Sequence, residues 1–364
     1  MTTLEARGFN HGRPCADTSI PGRAMRPPHR RTTGLRYTRI HYERFGEPRE
    51  VLQVADADLE PPGPGEVLVR MSACPINPSD ILPIRGAYSH RTALPAVPGF
   101  EGVGTVVDTG PGVSGQLIGR RVLPLRGQGT WQQYVKSPAQ WLVPVPSSIG
   151  DEAAAQLYIN PVTAWLVCAE ALKLREGDVF LVNACGSSLG RIFAQLAGIL
   201  HYRLIAVTGD ADNAQELLRL GASHVLHSDD IPTMRNYVME LTKGEGAAAA
   251  VDSIGGPPGN GLASCLKRQG ILLSLGLLSG ISLDWGALKQ SFDIRLQLFH
   301  LRHWNQDVTE PQWHAAFNRI LSWVAEGRLA VRAPAARCRL TEIREAVEAA
   351  ESPDRRSGKV ILTF

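Results

Sequence analysis

From Asp178 to about Leu301 the chain alternates apolar runs with stretches of helical spacing, and nothing else in the sequence constrains the fold as much. "DVFLVNA" is a continuous apolar run, the pattern of a strand covered on both faces. "LGRIFAQLAGIL" repeats its apolar residues at helical spacing. "RLIAVTG" reads as the next strand and "NAQELLRLG" as the next helix, and "AAAAVDSIGG", "GILLSLG" and "IRLQLFHL" follow as strands. Strand, helix, strand at this spacing predicts an α/β fold with a doubly wound parallel sheet.

The flanking segments have a different texture. "EVLVRMSACPI" alternates like a half-buried strand, and "NPSDILPIRGAY" reads as a loop. Short strands punctuated by Gly and Pro continue to about Pro146, which predicts a β-rich unit with many turns and no long helix. "DEAAAQLYINPVTAWLVCAEAL" reads as helical, with acidic residues in its first turn, where the helix dipole favours them. "PQWHAAFNRILSWVAEG" and "LTEIREAVEAAES" read as two amphipathic helices. The closing "GKVILTF" reads as a strand returning to the first unit. No internal repeat is visible.

Charge and cysteine usage narrow the class. Lys plus Arg is 38 and Asp plus Glu is 35, so the net charge of 38 − 35 = +3 is too balanced to point to nucleic acid. No apolar run is long enough to span a membrane. The six cysteines form no CxxC pair, which argues against a zinc ribbon or a disulfide framework and for reduced thiols in a cytoplasmic chain. Residues 1–36 carry seven arginines and little periodicity. They read as a flexible extension, as a mitochondrial transit peptide, or as sequence upstream of a start at Met25.

"VNACGSSLGR", Val182 to Arg191, lies between the first buried strand and its helix, where a dinucleotide fold puts its phosphate loop. Small residues let the backbone approach a pyrophosphate, and the helix start supplies N–H donors and a positive dipole end. Counting back from Gly190, the first two glycine positions of the fingerprint hold Cys185 and Ser187. A tight turn with no ligand is the bland alternative, and the sheet pattern downstream weighs against it. Gly186, Ser187, Ser188, Leu189 and Gly190 are the phosphate-binding candidates. The second strand ends "AVTGDADN", with Thr208 at its tip. Asp or Glu at the strand end would favour NAD and a nearby base NADP, so spacing alone leaves the choice open.

"NPSD", "PGFEGVGTVV", "GTWQQYV", "INPVTAW", "NACGSSLGR", "RLGASHVL", "VDSIGG" and "SGKVILTF" together carry a likeness. From Tyr37 onward the chain resembles the medium-chain dehydrogenase/reductase superfamily. The resemblance implies a GroES-like catalytic domain at 37–155 and 301–364, with a Rossmann domain at 156–300. Zinc enzymes of that superfamily carry a His where this chain reads Phe100, in "GFEG", and a Cys where it reads Asn77. A catalytic zinc needs about three protein ligands, which these positions do not supply. Phe100 is then expected to be a packing residue in a zinc-free branch. "NPSDILPIRGAY", "YINPVTAW" and "LFHLRHW" look most like mitochondrial-type 2-enoyl thioester reductases, with quinone oxidoreductases as the neighbouring branch.

That resemblance assigns expectations residue by residue. Tyr88 matches the tyrosine implicated in catalysis, and a phenol is protonated at neutral pH and can donate; a half-buried loop tyrosine is the alternative. Asn77 orients substrate or nicotinamide, or caps a turn. Thr163, Gly276 and Leu277 fall near the nicotinamide. Phe299 and Trp304 line the cleft, unless they are core aromatics. Lys359 approaches a cofactor phosphate, unless it is a surface lysine. His300 and His303, placed at a strand end, are not read as ligands. The implied cofactor is NADPH, with NADH open because Gly209-Asp210 stands where relatives have a base. The implied reaction reduces a C=C bond conjugated to a carbonyl in a small-molecule substrate. The alternatives are quinone reduction, or NADPH binding without turnover. The strand around "IRLQLFHL" is expected to pair across a homodimer.

Overall fold

The structure, a computed structural model, describes residues 34–227, 230–352 and 358–364. The extension expected at the N-terminus lies outside the described residues as far as 33.

The chain opens with strands β1 (Arg36–His41), β2 (Gln53–Asp58) and β3 (Glu66–Pro75), with a short helix α1 (Pro48–Val51) before β2. Helix α2 (Pro78–Ile84) follows, and then β4 (Val103–Thr109), β5 (Arg121–Leu123), β6 (Tyr134–Pro138) and β7 (Val143–Pro144). The segment expected to be a loop is therefore a helix from Pro78. Asn77 caps it: Asp80 Oδ2 accepts from the Asn77 backbone N–H at 2.7 Å, and Pro78 fills the first turn, where a missing N–H costs nothing.

The stretch read as a single helix is three pieces. They are α3 (Asp151–Ala154), α4 (Ile159–Leu166) and a wider π turn over Val167–Ala171. Strand and helix then alternate: β8 (Val179–Val182), α5 (Ser188–Leu200), β9 (Arg203–Thr208), α6 (Ala214–Leu220), β10 (His224–His227), α7 (Ile231–Leu241), β11 (Ala247–Asp252), α8 (Gly256–Leu262), β12 (Leu266–Ser274), α9 (Trp285–Ser291) and β13 (Arg295–Leu298). The chain closes with α10 (Leu301–Asp307), α11 (Glu310–Ala325), β14 (Ala336–Arg339), α12 (Ile343–Glu351) and β15 (Val360–Thr363).

Six parallel strands run in the order β10-β9-β8-β11-β12-β13. That is the doubly wound order with its switch point between β8 and β11, where ligands sit at the carboxyl ends of the strands. The sequence reading passed over β10 and α7. The β-rich sheet runs β14-β15-β3-β4-β5-β7, and β15 pairs antiparallel with β3 as expected of the returning strand. A single buried cluster joins the two sheets. It holds Ala73, Val103 and Leu123 from one, Phe180, Val182 and Leu204 from the other, and Trp313 and Phe317 of α11. Below the switch point, Asn183 Nδ2 donates to Asp252 Oδ1 at 2.5 Å, and Asn183 Oδ1 accepts from Ser253 N at 2.7 Å. The ends of β8 and β11 are thereby fixed together.

Candidate active site

Four polar side chains meet where the resemblance would put a metal. Asn77 comes from the end of β3, Asp80 from α2, Glu101 from the glycine-rich turn before β4, and Lys359 from the start of β15. All four are almost wholly buried. Asn77 Nδ2 donates to Asp80 Oδ2 at 3.1 Å and to Glu101 Oε1 at 3.0 Å. Lys359 Nζ donates to the same Glu101 Oε1 at 3.1 Å, and Glu101 Oε2 accepts from the backbone N–H groups of Tyr158 (3.2 Å) and Ile159 (2.8 Å). The carboxylate therefore pins the start of α4 to the β-rich sheet.

The Glu101 carboxylate fixes the amide's orientation, because an amide carbonyl in place of Nδ2 would meet an acceptor there. Both Asn77 amide hydrogens are thus spent inside the knot. Asn77 cannot donate to a substrate oxygen, and only its carbonyl remains to accept from a ligand. Burial pushes the Asp80 carboxyl up to about 7; the Glu101 charge adds to this, while the Asn77 bonds and the Lys359 charge oppose it. Lys359 is buried rather than a surface lysine, and its ammonium donates to Glu101 Oε1.

Phe100 departs from its expected role. It is 51% exposed, so it packs into no core, and its backbone N–H donates to Asp80 Oδ1 at 3.1 Å. Neither Phe100 nor the committed Asn77 amide offers a metal an electron pair of the kind a His or Cys would. Among the described residues no group of three His, Cys, Asp or Glu is placed to hold a metal ion.

At the phosphate turn, Ser187 caps α5, its Oγ accepting from Gly190 N at 3.1 Å. A Cβ on Gly190 would lie 2.4 Å from Cys185 Cα, so only glycine fits where helix and turn touch. Ser188 and Leu189, half-buried, open the helix with N–H groups that have no intrahelical acceptor. These donors, with the small residues Cys185 and Gly186 beneath them, fit a pyrophosphate. At the end of β9, Thr208 Oγ1 accepts from Asp210 N at 3.2 Å, and the Asp210 carboxylate accepts from Asp212 N at 3.0 Å. Behind the turn, Arg191 donates to Asn213 Oδ1 at 2.8 Å and to both oxygens of Glu216.

Thr163 is buried in α4, and Gly276 and the exposed Leu277 follow β12. Phe299 N donates to Ser274 O at 2.9 Å, which continues the β12–β13 pairing by one residue. Trp304 stacks on Trp313 with centroids 5.5 Å apart, so one of its faces belongs to the core. Tyr88 lies in the segment after α2, before a 3-10 turn over Ser89–Arg91. The Arg91 guanidinium lies 3.9 Å above its ring centroid, and its ring meets that of His300 at 6.1 Å in an edge-to-face contact. His300 caps α10 rather than ending a strand, and His303 lies inside that helix. The sequence reading brought together neither Glu101 with Lys359 nor Tyr88 with His300. The one signal for the first pair was a carboxylate set in an otherwise apolar, glycine-rich stretch.

Comparison with known proteins places this geometry among relatives. Residues 63–147 match the family profile described as the alcohol dehydrogenase GroES-like domain, and residues 188–313 match the one described as zinc-binding dehydrogenase. The human protein named mitochondrial enoyl-[acyl-carrier-protein] reductase is 32% identical over 332 residues, covering 89% of this chain and 87% of the human one. The crystal structure of a Bacillus thuringiensis protein, provisionally named an NADPH:quinone reductase, superposes with TM-score 0.89 at 49% identity, covering 91% of this chain and all of that one. Escherichia coli quinone oxidoreductase, solved in complex with NADPH, superposes with TM-score 0.80 at 26% identity over 90% of this chain and all of its own.

Proposed function

Because this chain belongs to the medium-chain dehydrogenase/reductase superfamily, in its zinc-independent branch, we propose that it is an NADPH-dependent reductase of 2-enoyl thioesters or similar α,β-unsaturated carbonyls. One observation carries the reading. The positions that would ligate zinc lie on a closed hydrogen-bonded knot around Glu101 and Lys359, so carbonyl activation falls to a protein donor, and in this reading Tyr88 supplies it.

Gly186, Ser187, Ser188, Leu189 and Gly190 at the start of α5 would hold the nucleotide's pyrophosphate. Thr208 would face the adenosine ribose, and Thr163, Gly276, Leu277 and Phe299 would border the nicotinamide. When bound, the nicotinamide supplies a hydride to the β-carbon of the substrate. As charge builds on the carbonyl oxygen, the Tyr88 hydroxyl donates to it or protonates the α-carbon. Asn77 holds its wall of the cleft through Asp80 and Glu101 and contributes a carbonyl acceptor. Trp304 borders the substrate with its free face. Residues 37–155 and 301–364 form the catalytic unit in this reading, and 156–300 form the nucleotide-binding unit.

A second reading, quinone reduction, is favoured by the name of the Bacillus thuringiensis relative. It needs no protonation at carbon. Deuterium separates the two. Crotonyl thioester reduced with NADPH deuterated at the transferring position should gain one deuterium at C3. Turnover of quinones with no labelled acyl product would sink the first reading.

We further propose a homodimer through β13. That strand is the edge of the parallel sheet, and Leu298 (68% exposed) and Leu278 (63%) stand open on or beside it, with Leu277 and Ile281 nearby. No helix among the described residues is long and apolar enough to cross a membrane. If residues 1–36 act as a transit peptide, the chain works in the mitochondrial matrix, and otherwise in the cytoplasm.

A further inference from the structure

Tyr88 stands on a short loop. It precedes a single 3-10 turn over Ser89–Arg91, and its neighbours Ser89, His90 and Arg91 are all exposed. A loop of that kind does not by itself hold an aromatic ring in one orientation. Two contacts do. The Arg91 guanidinium covers one face of the ring at 3.9 Å. From the start of α10, the imidazole of His300 meets the ring edge to face, with centroids 6.1 Å apart and planes at 76°.

His300 is itself held. Its Nδ1 accepts from Arg302 N at 3.1 Å, so Nδ1 carries no proton and the ring is the neutral Nε2–H form. Its backbone carbonyl accepts from His303 N at 2.9 Å. The charged groups that act on it are Arg91 from the Tyr88 loop and Arg302 and His303 from α10; all three are or can become positive. Burial, with these three, pulls its pKa below the usual imidazole value, so the cap bond persists at neutral pH. Phe299 is tied to Ser274 at the end of β12, so His300 is fixed to the parallel sheet.

We propose that His300 is a positioning residue for Tyr88: from the start of α10 its ring meets the phenol and, with Arg91 on the ring face, holds it in its working orientation. The contact joins the Tyr88 loop to the segment that Phe299 ties to the end of β12. It rests on the proposed function above, in which Tyr88 is the donor.

The test is a double-mutant cycle read on crotonyl thioester reduction. His300→Asn keeps a side-chain oxygen that can cap α10 but removes the ring. It should lower kcat about three- to tenfold, the range of an aromatic edge contact, with the KM for NADPH unchanged. His300→Phe keeps a ring edge without the cap and should recover most of the rate. In a Tyr88→Phe background, His300→Asn should cost nothing further, because the group it positions is gone. Unchanged kcat in His300→Asn overturns the proposal. So does an equal loss with and without the Tyr88 hydroxyl, which would mark a purely structural role. Failure of the wild-type protein to reduce any enoyl thioester overturns the reductase reading and this proposal with it. Wild-type turnover is measured first, so the two failures are told apart.

Discussion

Lys359 Nζ lies 3.1 Å from Glu101 Oε1, and neither side chain has appreciable contact with solvent. Removing one partner strands the other charge in the interior, which typically costs about 3–5 kcal/mol. We expect Lys359→Met to lower unfolding free energy by that order in urea titrations. Lys359→Met combined with Glu101→Gln should cost clearly less than the two changes summed.

Asp80 gives stability a pH dependence. Burial raises its pKa from 3.8 to about 7, so the folded state holds the proton more tightly than the unfolded chain. The contribution is fully present below about pH 4 and is lost as pH rises through about 7. Urea midpoints measured from pH 5 to 8 should fall with rising pH, and Asp80→Asn should flatten that slope.

Tyr88→Phe removes the proposed donor and leaves the ring. We expect kcat with enoyl thioesters to drop about 10²- to 10⁴-fold, the usual span for general acid catalysis. The Kd for NADPH, read by nucleotide fluorescence, should be unchanged, and any quinone activity should survive.

Phe100 is half in solvent, so Phe100→Ala should change unfolding free energy by no more than about 0.5 kcal/mol. Dialysis against a strong chelator should leave turnover as it was. A chelator-sensitive rate would mean that the knot around Glu101 opens to admit a metal.

Leu298→Asp places a charge on β13, which has no strand partner on its outer side among the described residues. Light scattering behind a sizing column should show the wild-type chain as a dimer and the variant as a monomer.

The parallel sheet was legible because strands covered on both faces have no polar alternation, and "DVFLVNA" and "RLIAVTG" show this plainly. β10 was not. It is an edge strand of four residues, "HVLH", with too few apolar positions to stand out. Helix α2 is hidden in the sequence because Asn-Pro-Ser-Asp signals a turn and a helix cap equally well, and only the bond from the Asn77 N–H to Asp80 decides between them. The exposure of Phe100 is not legible there either, because burial depends on what packs opposite, which a strand-like stretch does not reveal. Lys359 and Glu101 are 258 residues apart, and no local pattern announces a partner at that distance. The phosphate turn is a candidate by its position between strand and helix and Tyr88 by the family resemblance, whereas the ring contacts of Tyr88 with Arg91 and His300 come only from the fold.

The most direct measurement follows NADPH oxidation at 340 nm with trans-2-enoyl thioesters of increasing length, beside benzoquinone and phenanthrenequinone, with a chelator present throughout. The account predicts that enoyl thioesters are reduced with the higher kcat/KM. Turnover of quinones alone, or of neither class, would contradict it.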